Sequence, residues 1–379
     1  MRKNFNYLVV LAGLVALSES AAWAQESLIK AALSRSGSLS SCGGVSSCAR
    51  VGADLFTPRL SAGALNQETI LRGVFQARET TVNRTNLFSG TVFQATHNGV
   101  PETYVAVAAH ALESGRFVLG KTFTADIYAG DGTFKAVPVE IIQVSAPSML
   151  DVAIGKVLEG AEELRPFEIS RRPFSNGDKA VSYGFAGQKF VAIENRMFSS
   201  KTPLCIRTTM PYPRNDRMGL CGSALLDEAG QLIGIHTGST YGKYGEADDV
   251  GHATDVRLLE VLVEAAYHDG VGTFPLILGG QKVLDMPVDG YISYVRLFNE
   301  NKKQLWQRGF ESKFAYDQVN AMIEKFSPRY IELTTRRVHW DPATPDKLLE
   351  IRNPRDKTRR TYRYDFKEGK IIFESKSKE

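Results

Sequence analysis

The chain has 379 residues, a formal net charge of +4, 43% hydrophobic residues and 10% aromatic residues. Those proportions are ordinary for a globular protein with room for a sizeable core and about two domains. The slightly basic balance is too weak to imply a nucleic-acid partner. The first residues combine a basic start, "MRKNFNY", a short apolar run, "LVVLAGLVAL", and a small-x-small ending at Ala22, Trp23 and Ala24. This is the pattern of a secretory signal peptide over 1–24, with cleavage expected after Ala24. The apolar run falls short of the ~20 residues a spanning helix needs, and no later stretch is long and apolar enough to span. No cysteine stands directly after the cleavage site, which argues against a lipid anchor there. The mature chain is therefore expected to be exported, to a periplasm or beyond, with no integral membrane segment.

Residues 25–66 are rich in Ser, Gly and Ala and read as a lead-in or pro-segment. Cys42 and Cys48 lie within it, in "SSCGGVSSCA". In an oxidising compartment they are candidates for a small disulfide loop, and no further ligands stand nearby to make a metal site. From about Glu68 short apolar runs alternate with Gly, Asn and Asp turns, as in "FSGTVFQATHNGVPETYVAVAAH" and "FTADIYAGDGTFKAVPVEIIQVSA". Such spacing predicts an all-β barrel or sandwich. In "TDVRLLEVLVEAAYHDG" the apolar residues fall at helical spacing and Gly270 stops the run, so a helix is expected to close a domain spanning 67–269.

Residues 270–379 read as a smaller α+β accessory domain. "AYDQVNAMIEKF" is a helix candidate, and "KLLEIRNP", "RTYRYDFKEG" and "KIIFESK" are strand candidates. The basic run "RNPRDKTRRTYRY", with its tyrosines, has two readings: contact with an anionic surface, or, preferred, a solvated edge strand protected by charge.

Three segments carry chemistry. "YVAVAAHAL" places His110 just after an apolar strand, "SMLDVAIGKV" places Asp151 at the start of another, and "GLCGSALL" places Cys221 in a glycine-flanked turn before a third. The chain order His, Asp, nucleophile selects one of the known triad arrangements. Here the sequence resembles the chymotrypsin-like, two-barrel peptidase family. "SGTVF" is similar to that family's "SGTGF" strand, "AAH" to its histidine motif, "DVAI" to "DIAL" and "GLCGSAL" to "GDSGSPL". "QLIGIHTG" is similar to the strand after the nucleophile. The resemblance covers about half of the chain, 68–268. It implies a mainly β, double-barrel fold and peptide-bond hydrolysis by a Cys-His-Asp triad. His110 would exchange a proton with Cys221. Asp151 would hold the imidazole tautomer. The backbone N–H groups of Gly219 and Cys221 would form the oxyanion hole. Ser223 falls at a packing position of the family. Cys205, in "TPLCIRTTM", offers an alternative fate for Cys221, a disulfide, and a relic of a lost serine enzyme is another.

Two departures favour a working thiol. Leu220 stands where the digestive branch has an aspartate that pairs with a newly cut N-terminus. The picornavirus 3C-type proteases share both that departure and the cysteine. His236, in "GIH", matches a histidine that in 3C-type enzymes and glutamyl endopeptidases binds a Gln or Glu side chain. That resemblance makes His236, Thr237 and Gly238 candidate substrate-binding residues. Asp216 and Arg217 depart from those relatives at the pocket wall. The expected partner is a peptide or protein substrate, with no nucleic acid and no cofactor or metal, and the C-terminal domain is a possible site for a protein partner. The competing reading is an inactive, protease-like protein that binds peptides or a partner. An HtrA-like enzyme is a third, for which 270–379 lacks a clear "GLGF"-type carboxylate loop.

Overall fold

The computed structural model describes residues 65–80, 85–112, 119–120, 122–130, 132–146, 149–187, 189–198, 205–209, 218–240, 250–267, 272–310, 316–337 and 358–378. The signal peptide, the lead-in with Cys42 and Cys48, and "KLLEIRNP" lie outside the described residues. Helix α1 (Gln67–Gly73) opens the described chain and was not anticipated. Its N-cap is Asn66, whose side chain accepts from the Thr69 N–H at 2.7 Å, a short-range start signal. The alternating runs that follow close into a first antiparallel barrel of β1 (Val74–Thr80), β2 (Thr85–His97), β3 (Val100–Ala108), β4 (Thr122–Gly130), β5 (Thr133–Val144) and β6 (Val152–Val157). Asn98 and Gly99 take φ of 50° and 78° between β2 and β3, and His97 pairs with Val100 across them. Two left-handed residues are what a tight hairpin with the native strand twist requires.

A second closed barrel follows, of β7 (Lys179–Ala186), β8 (Lys189–Phe198), β9 (Cys205–Thr209), β10 (Ala224–Leu226), β11 (Leu232–Thr240) and β12 (Val250–Asp255). The fold is thus the chymotrypsin-like double barrel. Each barrel has its own core: Phe75, Val92, Val105, Phe123 and Val139 in the first, Met197, Ile206, Leu225 and Ala253 in the second. A third and larger cluster joins them, including Phe93, Tyr104, Leu150, Tyr183 and Ile235. Helix α2 (Arg257–Tyr267) seals that seam with Leu258, Leu259, Leu262 and Val263. It is the helix the 3.6-residue pattern predicts, because a one-sided apolar stripe has to be covered.

Beyond it lie a hairpin of β13 (Thr273–Leu278) and β14 (Gln281–Pro287), and a five-stranded sheet. The sheet comprises β15 (Gly290–Phe298), β16 (Gln304–Gly309), β17 (Tyr330–Arg337), β18 (Thr358–Asp365) and β19 (Lys370–Lys378), in the order β16-β15-β17-β18-β19. Helix α3 (Tyr316–Phe326) matches its expectation. The basic "RTYRY" segment does not: it is β18, paired on both sides, and β16 and β19 are the edges. Its charge is absorbed within the sheet. Arg363 pairs with Glu332 at 2.7 Å and lies over the rings of Phe298 and Phe373. A guanidinium stacked and ion-paired in this way tolerates an interior strand. No described helix is long and apolar enough to cross a membrane.

Candidate functional site

The site forms where the two barrels meet. The β3–β6 ladder ends at the pair Ala108–Val152, so the residues just beyond it face each other. His110 sits there on a single 3-10 turn, Ala109–Ala111. Asp151 sits opposite, with a left-handed φ of 58°, a conformation that aspartate tolerates better than most residues. The Ala109 N–H donates to the Asp151 carbonyl at 3.0 Å. Both carboxylate oxygens are then used on one residue: Oδ1 accepts the His110 backbone N–H at 2.9 Å and Oδ2 lies 2.7 Å from His110 Nδ1. The two side chains differ sharply in access, 40% exposed for His110 and 5% for Asp151. The carboxylate is sheltered and the imidazole opens to solvent.

Cys221 arrives from the second barrel, in the turn before β10, and stands close enough to His110 to act on its titration. Burial pushes the His110 imidazole down. The hydrogen bond to Asp151, then that to Cys221, and the charges of both override it and raise its pKa to about 10. The imidazole is therefore held as imidazolium at neutral pH, the state that stabilises a thiolate beside it. Among the described residues the backbone N–H groups of Gly219 and Cys221 donate to no other group. Ser223 is 1% exposed and its hydroxyl donates to the Leu220 carbonyl at 2.6 Å, as a packing residue does. Cys205 opens β9 opposite Thr254, with Sγ 3.8 Å from His252 Nδ1. Cys205 and Cys221 are both free thiols, so no bridge joins them.

His236 lies on β11, 5% exposed, with its N–H donating to the Ser223 carbonyl at 2.9 Å and its carbonyl accepting from the Gly222 N–H at 2.7 Å. Its strand is thereby stitched to the turn that carries Cys221. Its cross-strand partner is Ala253, whose own partner on β9 is Ile206, and both belong to the second-barrel core. Opposed residues share a face, so the imidazole emerges on the inner side of the barrel, in line with Ala253 and Ile206. Thr237 falls at the bulge between His236 and Gly238, and its hydroxyl donates to the His252 carbonyl at 3.4 Å. Gly238 follows on the same strand, opposite His252. Asp216 and Arg217 lie outside the described residues.

The sequence reading missed the role of the first-barrel motif. It took "SGTVF" as a strand signature, whereas Ser89 and Thr91 both reach across to the nucleophile turn. Two hydroxyl residues on one face of a strand, both fully buried in the structure, need partners, but the motif alone does not say where those partners lie. The turn is also sterically closed. A Cβ on Gly222, at φ +96°, would lie 1.9 Å from the Ser89 carbonyl oxygen. Gly222→Ala is expected to cost about 1–3 kcal/mol from backbone strain alone, with the clash added. A fall in the thermal midpoint together with slower alkylation of Cys221 would check this. A fully stable, normally reactive variant would contradict it.

No family profile matches the chain, and no curated protein matches it. Among solved structures, an inactive-form serine-to-alanine mutant of Rv3671c from M. tuberculosis H37Rv is similar at 17% identity and a TM-score of 0.39, covering 52% of this chain and 88% of that one. An alanine variant of the HtrA-type protease AlgW with a tripeptide is similar at 16% identity and 0.42, covering 72% and 92%. The serine endoprotease from Yersinia pestis is similar at 14% identity and 0.43, covering 71% and 90%.

Proposed function

We propose that the protein is an exported endopeptidase that hydrolyses peptide bonds through Cys221, His110 and Asp151. One observation carries this reading: His110 is bonded at 2.7 Å to a sheltered carboxylate in its own barrel and stands beside a thiol brought from the other barrel. In the proposed cycle the Cys221 thiolate attacks the scissile carbonyl carbon. The carbonyl oxygen takes up the negative charge against the N–H groups of Gly219 and Cys221. The C–N bond then breaks as His110 gives its proton to the departing amine, leaving a thioester. Water attacks the thioester as His110 removes its proton. The acid product leaves, and thiolate and imidazolium are restored. Asp151 keeps Nδ1–H pointed inward, so that Nε2 serves the thiol throughout.

The first test needs the purified mature protein, iodoacetamide and a casein digest. Rapid labelling of Cys221 without reductant, with casein cleavage lost in step, supports the peptidase. A reactive thiol with no cleavage of any peptide supports the peptide-binding alternative. Labelling only after reduction sinks the thiol mechanism for that state.

A preference for Gln or Glu before the scissile bond belongs to the same proposal. It rests on His236, whose imidazole N–H can donate to an amide or carboxylate oxygen, on the strand stitched to the Cys221 turn. His236→Ala is expected to lower kcat/KM about 10- to 100-fold on Gln and Glu peptides, the size of one lost hydrogen bond to a buried polar group, and to spare alanine peptides. Equal cleavage after Ala, Lys and Gln by the unaltered protein would remove the preference.

A further inference from the structure

The backbone of the nucleophile turn is held at every carbonyl. Met218 O accepts from the Gly187 N–H at 2.5 Å, Gly219 O from the Ser89 hydroxyl at 2.7 Å, and Leu220 O from the N–H and hydroxyl of Ser223 at 2.9 and 2.6 Å. Cys221 O accepts from the Ser89 N–H at 3.1 Å and Gly222 O from the Thr91 hydroxyl at 2.8 Å. A peptide unit is planar and trans, so each fixed carbonyl sends the next N–H to the opposite side. Tying the Met218 carbonyl orients the Gly219 N–H, and tying the Leu220 carbonyl orients the Cys221 N–H. The peptide between these two is Gly219–Leu220, and among the described residues Ser89 alone holds its carbonyl.

Ser89 is 0% exposed and sits on β2, in the first barrel. Its oxygen also accepts the Phe185 N–H at 2.7 Å, and of the two carbonyls within reach of its proton, Gly219 O at 2.7 Å lies much closer than Phe185 O at 3.4 Å. Phe185 lies on β7, whose hairpin turn supplies the Gly187 N–H for Met218. The Gln76 side chain of β1 donates in turn to the Gly187 carbonyl. Two strands of the first barrel thus brace the same turn of the second. Leu220 contributes no charge: it is 2% exposed and packs with Ile193.

Resting on the peptidase reading above, the structure assigns Ser89 as a positioning residue for the oxyanion hole, so that the hole is set by the first barrel and needs no new N-terminus. Buried, neutral hydrogen bonds of this kind hold donors in place before substrate arrives, which is where their catalytic value lies.

The test compares Ser89→Ala with the unaltered protein. Alkylation of Cys221 by iodoacetamide displaces iodide and develops no oxyanion, whereas peptide hydrolysis does. The expected result is a fall of about 10- to 100-fold in kcat with KM little changed. Affinity for a peptide aldehyde, which forms a tetrahedral adduct, should fall by the same factor, with alkylation within about twofold of normal. Part of the about 10²–10³-fold effect of deleting a donor outright is the yardstick. Unchanged hydrolysis, or equal losses in alkylation and hydrolysis, would overturn the assignment. Should the unaltered protein cleave no peptide, the peptidase reading fails by itself. Amide hydrogen exchange at Gly219 and Leu220 then decides the positioning role: about tenfold faster exchange in Ser89→Ala upholds it, and unchanged exchange refutes it.

Discussion

Cys221→Ala is expected to lower kcat/KM for peptide hydrolysis by about 10⁴-fold or more, and His110→Ala by a similar factor. The two losses should not multiply. Without the thiol, the imidazole has nothing to activate. Without the imidazole, the thiol loses its partner in proton exchange and the acid that protonates the leaving amine. The double variant should therefore be no slower than the worse single one, with the oxyanion hole and substrate binding supplying what remains. Multiplicative losses in steady-state kinetics would mean that His110 and Cys221 act separately. Activity surviving in Cys221→Ala would mean that another residue is the nucleophile.

Asp151→Asn should be almost as damaging, about 10⁴-fold in kcat on the scale of such a change in other triads, with the fold intact. The reason lies in the two contacts of the carboxylate. The His110 backbone N–H needs an acceptor where Oδ1 now stands, at 2.9 Å. The asparagine carbonyl takes that place and its NH2 turns toward Nδ1. A donor facing Nδ1 forces the ring proton to Nε2, toward Cys221, where a base is required. The same change should be visible in the titration. In the unaltered protein His110 keeps its proton to about pH 10, with burial opposing and the bonds to Asp151 and Cys221 prevailing. Removing the carboxylate charge should bring its titration down, as NMR of the ring carbons would read. A group raised from 6.5 to about 10 contributes stability that is fully present below pH 6.5 and is lost as pH rises through about 10. Thermal midpoints should therefore decline across that window, and less steeply in Asp151→Asn. Identical pH profiles for the two proteins would count against the ion pair.

The double barrel was legible because its determinants are local and repeated. Alternation in strands such as β5 and the Asn98–Gly99 turn are readable within a dozen residues. His110, Asp151 and Cys221 were legible as three separate motifs in a fixed order, and the structure brings them together. The accessory sheet was less so. Of its strands only β18 and β19 are readable from the sequence. The preceding hairpin is also hard to read, since β13 contains Pro275 and ends at the Gly279–Gly280 turn. β18 was misplaced at an edge because a run of arginines looks solvated until Glu332, Phe298 and Phe373 are beside it. Ser89 was illegible as a brace for a similar reason. Its partners, Phe185 and Gly219, lie 96 and 130 residues away, and nothing local in "SGTVF" points to them.

The division of the site between the barrels has a consequence in time as well as in space. His110 and Asp151 belong to the half of the double barrel that is synthesised first, and Cys221 to the half that follows. The first half carries the imidazole without the thiol, and the second the thiol without the imidazole. Under the proposed mechanism neither half could act alone. A partly made or partly unfolded chain would then be a poor protease against its own kin, with reactivity beginning only when the two halves dock.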